Sequence, residues 1–283
     1  MRPDNEFLKD PRALVQHLSQ VLNRNGLKDP FLPAEPVDVK TASAVMVMLG
    51  RSPAGTVNPG EPCLILNKRS ENVRQPGDLC CPGGSLMPRL DTLLSHVIQL
   101  PLLPLGRWKP WPEWKRQRPK EARTLALLLA TSLRESVEEM RLNPFGIRFL
   151  GPLPPYRLLL FKREIYPLVG WVSGCQRFRT NWEVEKIVHL PLRDLLDGGN
   201  FYRYRLQMGG LSPERAGADM RELPSFRHPD GTDNETLWGA TYHIAMRLLR
   251  LAFDFEPPGL AGLPVINGRL GSNYLTGNNA PGD

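Results

Sequence analysis

Between Arg123 and Leu142 the chain carries the stretch TLALLLATSLRESVEEM, which has no Gly or Pro and is rich in Leu, Ala and Glu. Composition and length together predict a helix with an apolar first half buried against a core and an acidic end. A helix of that kind needs an apolar surface to lie on, and the rest of the sequence offers strands. Two β-like runs, Ala42 to Leu49 and Cys63 to Lys68, flank a turn containing Pro, Gly and Asn, and so read as neighbouring strands. Shorter runs follow at Ile147 to Leu150, Tyr156 to Phe161, Ile165 to Val172, Val184 to His189 and Phe201 to Leu206, with a short helix near Leu192 to Leu196. Thr236 to Phe253 reads as a second strong helix. Strands interleaved with a few helices favour a mixed α/β domain over a bundle or an all-β sandwich.

The flanking segments are simpler. Residues 6 to 24 place Phe7, Leu8, Leu14, Leu18, Val21 and Leu22 at helical spacing, which predicts an amphipathic helix closing near Asn25-Gly26. The expected organisation is an N-terminal helix and connector (1–36), a main domain (37–255) and a C-terminal tail (256–283) that wraps the surface or lies loose.

Composition narrows the class. With 41% hydrophobic and 23% charged residues, the chain fits neither a long disordered segment nor a membrane bundle. Lys and Arg (36) exceed Asp and Glu (29), but apart from Lys115 to Lys120 the cations are dispersed, so solubility explains the excess better than a polyanionic partner, and no nucleic acid is expected. Cys63, Cys80, Cys81 and Cys175 form neither a disulfide framework nor a C-x-x-C metal pair. The charged start MRPDNEFLKDPR is unlike a signal peptide and no apolar run reaches the ~18 residues of a spanning helix, so a cytoplasmic protein without a membrane span is expected.

Chemistry is concentrated at the acidic end of the long helix. Glu135, Glu138 and Glu139 lie at i, i+3 and i+4, so their carboxylates share one face and repel unless a cation joins them. Oxygen ligands without a nearby His or Cys favour Mg²⁺ or Mn²⁺, ions that typically bridge protein carboxylates to substrate phosphates.

Upstream, Arg69, Ser70, Arg74, Gly77, Pro82, Gly83 and Gly84 join a strand to a glycine turn with basic side chains close by. With Gly84 and the Arg134-Glu135-Ser136-Val137-Glu138-Glu139 core, the chain resembles the Nudix hydrolases, whose box reads G-x5-E-x7-R-E-U-x-E-E-x-G-U, U being aliphatic. The upstream residues approximate the signature of the coenzyme A pyrophosphatase branch. Two further stretches, Glu183-Val184-Glu185 before Leu190-Pro191-Leu192, and Leu237-Trp238-Gly239-Ala240-Thr241, are also similar to that branch, so the likeness spans residues 40 to 252. The pattern departs from the box in length: Gly84 to Arg134 reads as though ~35 residues were inserted at about 91–123. The first glutamate of the box has no aligned counterpart, and Arg141 stands at the closing glycine. Arg enters a left-handed turn at a cost of ~1 kcal/mol relative to Gly, so the helix is expected to end differently there.

The resemblance implies a Nudix fold, a mixed β-sheet sandwiched between α-helices, that hydrolyses the diphosphate of a coenzyme A-like nucleotide. Another nucleoside diphosphate-X substrate, or a non-catalytic binding domain, stays open as an alternative. It implies Glu135, Glu138 and Glu139 as metal ligands, Arg134 as the group orienting a carboxylate, and Glu139 or Glu183 as general base. Arg69, Arg74, Gly83 and Gly84 would contact substrate. The insertion carries Trp108, Trp111 and Trp114 among cations and is expected to act as a lid or as the contact of a homodimer.

Overall fold

Helices α1 (Glu6–Lys9) and α2 (Pro11–Lys28) open the chain in the computed structural model, which describes residues 6–28, 31–34, 37–56, 58–158, 163–174, 176–207, 220–230, 233–271 and 273–274. Four strands follow, β1 (Ala42–Arg51), β2 (Pro62–Arg69), β3 (Leu79–Cys80) and β4 (Gly83–Ser85). Three helices come next: α3 (Pro88–Val97), α4 (Trp111–Gln117) and the long α5 (Pro119–Met140). The chain continues through β5 (Ile147–Pro152), β6 (Tyr156–Leu158), β7 (Arg163–Val172) and β8 (Val184–Pro191) to α6 (Leu192–Leu195). Strands β9 (Phe201–Gln207), β10 (Met220–Asp230) and β11 (Asp233–Leu237), helix α7 (Gly239–Phe253) and strand β12 (Val265–Arg269) complete it.

The first sheet runs β3-β2-β1-β7-β5, with β8 also on β2, β4 on β1 and β6 on β7. Strand β1 pairs antiparallel to β2 and parallel to β7, so the sheet is mixed. Alternation along its strands builds two cores. From β1, Val47 and Leu49 join Leu14, Leu18 and Leu22 of α2 and Ala245 and Leu249 of α7 on one face. Ala44, Met46 and Met48 join Leu125, Leu129 and Leu133 of α5 on the other. The expected mixed sheet between helices is what the chain forms. A second sheet, β11-β10-β9-β12, stands beside it. Buried Glu235 of β11 links the two sheets, pairing with Lys68 of β2 at 3.1 Å and Lys186 of β8 at 2.8 Å. Burial works against charge on both lysines, but their carboxylate partners outweigh it and hold them above the ordinary lysine range.

Several boundaries differ from expectation, each for a local reason. The N-terminal helix is broken before Pro11, whose missing N–H suits a first-turn position, and α2 runs past Gly26 to Lys28. Thr236 and Leu237 belong to β11, paired with Arg227 and Phe226, so the last helix starts only at Gly239. Within the tail, residues 265–269 form β12 parallel to β9. Cys175 and residues 275–283 lie outside the described residues, as does the end of the run expected from Tyr156 to Phe161.

The insertion is folded into the domain. Trp108, Trp111 and Trp114 are each at most 4% exposed and belong to the core beneath α5, so these rings form neither a lid surface nor a subunit contact. Trp108 meets Phe149 edge-on at 4.9 Å and Trp114 at 5.7 Å, while the Trp114 indole donates to Asn23 Oδ1 on α2 at 3.0 Å. Tryptophans three apart sit on one side of a helical turn, and here that side faces inward. Because the ring of Trp114 is fully enclosed, Trp114→Ala is expected to lower the unfolding free energy by ~3–5 kcal/mol. Urea denaturation checks this, and an unchanged midpoint would show that the insertion is not part of the core.

Candidate active site

The expected glycine turn is instead the start of a strand, since Gly83 and Gly84 open β4 and pair with Val45 and Ala44 of β1, and both are crowded. Gly83 has φ +154°, and a Cβ there would stand 2.3 Å from the Ala44 carbonyl of the neighbouring strand. At Gly84 a Cβ would lie 2.5 Å from a Glu135 carboxylate oxygen. Glycine is required at Gly83, where β4 approaches the β1 backbone, while at Gly84 a side chain would have to displace the Glu135 carboxylate.

The carboxylates arranged there differ sharply from one another. Glu139 is 7% exposed; its Oε2 accepts from Asn67 Nδ2 at 2.5 Å and its Oε1 from the Gly83 amide at 3.4 Å. Burial pushes its pKa up to about 7, and the charges of Glu135 and Glu183 push the same way against those two donors. Glu135 is also raised by burial, partly offset by Arg134, with Glu138 and Glu183 adding repulsion. Glu138 is half exposed. Glu183 precedes β8 on a loop whose Arg179 and Asn181 amides donate to the Met140 and Glu139 carbonyls at the end of α5. Its own carbonyl accepts from the Ser70 amide at 2.9 Å. Glu135 and Glu139 thus each feel the charge of Glu183, and Glu135 that of Glu138 as well.

Arg134, expected to orient a carboxylate, also anchors a buried ion pair beneath them. Asp91 of α3 is fully buried and takes Arg134 Nε on Oδ1 at 2.7 Å and Nη2 on Oδ2 at 3.3 Å. Its Oδ2 also accepts from the Met87 amide at 2.7 Å and the Thr131 hydroxyl at 2.9 Å. Arg134 Nη2 reaches the Ser85 carbonyl at 3.1 Å, while Nη1 lies 2.9 Å from Glu135 and 3.4 Å from Glu138. Burial opposes the guanidinium charge, but Asp91 and Glu135 outweigh it and raise its pKa. Asp91 stands seven residues after Gly84, where the box expects an acid after five intervening residues, so an Asp one place late was the available signal. Asn67 was missed for a different reason, since an Asn within a strand carries no spacing signature.

The residues proposed for substrate contact divide. Arg74 is exposed, whereas Arg69 is turned back onto its own loop, its Nε donating to the Arg74 carbonyl at 2.6 Å. Arg163 of β7 brings another guanidinium to β4, donating to Ser85 Oγ at 3.1 Å. The loop carrying Arg74 is pinned by Asp78, which accepts from the Trp238 indole at 3.0 Å and the Tyr274 hydroxyl at 2.7 Å. Trp238 thus packs the start of α7. Cys81 is buried and its thiol is pushed up by that burial, so it lines the core as a small apolar group. A cavity of about 610 Å³ opens among Leu8, Lys9, Arg51, Glu61 and Arg193, and none of Glu135, Glu138, Glu139 and Glu183 lines it.

Arg134, Asn67 and the Gly83 amide hold the carboxylates in this conformation, and among the described residues no three His, Cys, Asp or Glu side chains meet closely enough to grip a metal ion. The donor set nevertheless fits a hard cation: oxygen atoms only, mutually repelling, two of them held above their usual pKa by burial. Glu135, Glu138 and Glu139 would hold it.

By sequence, no known family profile and no curated protein matches the chain. Solved structures do. RenU, a Nudix hydrolase from M. smegmatis, is 9% identical with a TM-score of 0.33, covering 55% of this chain and 73% of that one. The C. elegans Ap4A hydrolase is 14% identical (TM-score 0.33; 55% and 83%). The Nudix domain of Shewanella oneidensis NrtR, complexed with ADP-ribose, is 15% identical (TM-score 0.33; 61% and 85%). These similarities are partial, and the assignment of roles rests on the residues above. Among the described residues, no helix is long and apolar enough to cross a membrane.

Removing Asp91 leaves Arg134 buried without its main partner, so Asp91→Ala is expected to cost ~3–5 kcal/mol, and far less when combined with Arg134→Met. Chemical denaturation of the single and double variants measures this coupling; additive losses would disprove it. Asp78 yields a pH signature. Its pKa is raised by burial to about 6, so its contribution is full below the unfolded value near 3.8 and is lost as pH rises through about 6. Relative to the native chain, Asp78→Asn should therefore gain ~1–3 kcal/mol between pH 4 and pH 7. Unfolding titrations at both pH values test the sign.

Proposed function

We propose that this chain is a Nudix-type pyrophosphatase acting on the diphosphate of coenzyme A or an acyl derivative, and that water and this substrate give 3′,5′-ADP and a 4′-phosphopantetheine species. One observation carries the reading: a nearly buried Glu139 is fixed by Asn67 and the Gly83 amide, and the neighbouring Glu135 carboxylate lies directly against Gly84. A diphosphate is a crowded anion, and hydrolysing it calls for charge neutralisation, in-line placement and a proton acceptor. A bound Mg²⁺ or Mn²⁺ supplies the neutralisation and a more acidic water.

The chain's own residues do the rest. Arg134, locked by Asp91, fixes the position of Glu135 and Glu138. Asn67 and the Gly83 amide at the start of β4 orient Glu139. Glu139 and Glu183 are the two carboxylates from which the acceptor of the water's proton is drawn. Arg74, exposed on the loop pinned by Asp78, is placed to meet a phosphate of the nucleotide, with Arg69 supporting that loop. Expectations from the sequence favour coenzyme A over other nucleotides, through the residues Arg69 to Gly84, and a cytoplasmic setting.

The test is a panel of coenzyme A, acyl derivatives, ADP-ribose, NADH and nucleotides with Mg²⁺ or Mn²⁺, using the native chain, Glu135→Gln and Glu139→Gln. Hydrolysis confined to coenzyme A species, with each variant at least ~100-fold slower, is expected. Turnover of ADP-ribose or dinucleotides instead would assign the chemistry to another nucleoside diphosphate-X. Nucleotide binding without turnover would make this a non-catalytic domain.

A further inference from the structure

Helix α3 turns two unlike faces to its surroundings. Inward, Asp91 and Ser95 are buried against α5, and Leu94 and Ile98 pack into the core beneath it. Outward, Leu90, Leu93 and Val97 recur at three- and four-residue spacing, one apolar stripe along the helix. The stripe does not stop at the helix ends. Met87 precedes its first turn, and the Leu100 amide donates to the Val97 carbonyl at 3.0 Å, which carries the turn on to Leu100 and then Leu102. These six side chains are between 39% and 71% exposed. Together they leave on the order of 600 Å² of apolar surface in water, at the upper end of what a monomer exposes in one patch.

We infer that this face is where two copies of the chain associate, α3 packing antiparallel against α3 of the second copy about a two-fold axis near Leu93. Three observations favour a second copy over other occupants. The stripe is close to symmetric about a point between Leu93 and Leu94, with Leu90 and Val97 on either side, so a two-fold axis there brings Leu90 of one copy near Val97 of the other and the two Leu93 side chains near each other. The exposed face of the helix carries no carboxylate, and its one Lys or Arg is Arg89 at the start. Antiparallel packing puts the two Arg89 side chains at opposite ends; a parallel arrangement would oppose them. The area is of the right size: the apolar patch supplies most of the ~800 Å² per partner of a standard interface, and a polar rim supplies the remainder.

This assignment stands apart from the proposed reaction and is tested without it. Sedimentation equilibrium of the full chain should give a dimer, with Leu93→Glu and Leu93→Lys each weakening association at least ~100-fold while far-UV circular dichroism stays native, since the residue is 64% exposed. Because position 93 faces itself across the axis, an equimolar mixture of the two variants should recover the dimer. A native chain that stays monomeric at 100 µM, variants that remain dimeric, or a mixture that fails to associate would each overturn the proposal. So would a monomer that binds anionic phosphatidylserine vesicles through Leu93, which would assign the face to a lipid surface.

Discussion

The buried pair between Asp91 and Arg134 is the constraint around which the candidate site is arranged. A guanidinium enclosed against α5 needs its donors matched, because desolvation alone would expel its charge. Here Asp91, the Ser85 carbonyl, Glu135 and Glu138 match them. One side chain thereby fixes the distance from α3 to α5, anchors β4 through Ser85 and sets the position of two helix carboxylates. Asp91 is equally committed, since its oxygens also serve the Met87 amide and the Thr131 hydroxyl. Weakening either member would free α3, β4 and the acidic end of α5 together, and a site built from backbone and carboxylates tolerates little drift.

This arrangement also explains how a long insertion sits inside a compact motif. The extra residues begin within α3, fold over Trp108, Trp111 and Trp114, and return as the first turns of α5. The two ends of the detour are tied to each other by Asp91 and Arg134, so its length has little effect on the geometry at the carboxylates. Loop closure depends only weakly on length once the ends are fixed.

Much of this was legible in the chain. The strands of the central sheet show in their alternation, and the long helix shows in its composition, because both are periodic signals that burial enforces locally. The Glu135, Glu138 and Glu139 trio was visible as spacing, whereas the two glycines, which read as a turn, open strand β4. What stayed hidden depends on partners distant in sequence. Asn67 matters only because the end of α5 brings Glu139 onto its face of the sheet. Thr236 and Leu237 look helical until β10 offers them a ladder, and β12 exists only through its pairing with β9. The tryptophans of the insertion read as a lid or a subunit contact because cations surround them, yet the cations lie on the outer side of the turns and the rings on the inner. Arg141 is the instructive exception. It adopts φ 55° despite its side chain, because the Arg141 and Leu142 amides bond back to Val137 and Ser136 and Leu142 is buried. Contacts of that kind offset the ~1 kcal/mol that glycine would have spared.

The two faces of α3 are coupled by the shortness of the helix. Ten residues without a side-chain cap are marginal as an isolated helix, so their order comes from packing. Asp91 supplies that packing on the inner side, and association of a second copy on Leu93 would supply it on the outer. Anything that binds the ordered helix and not the disordered one stabilises it by mass action.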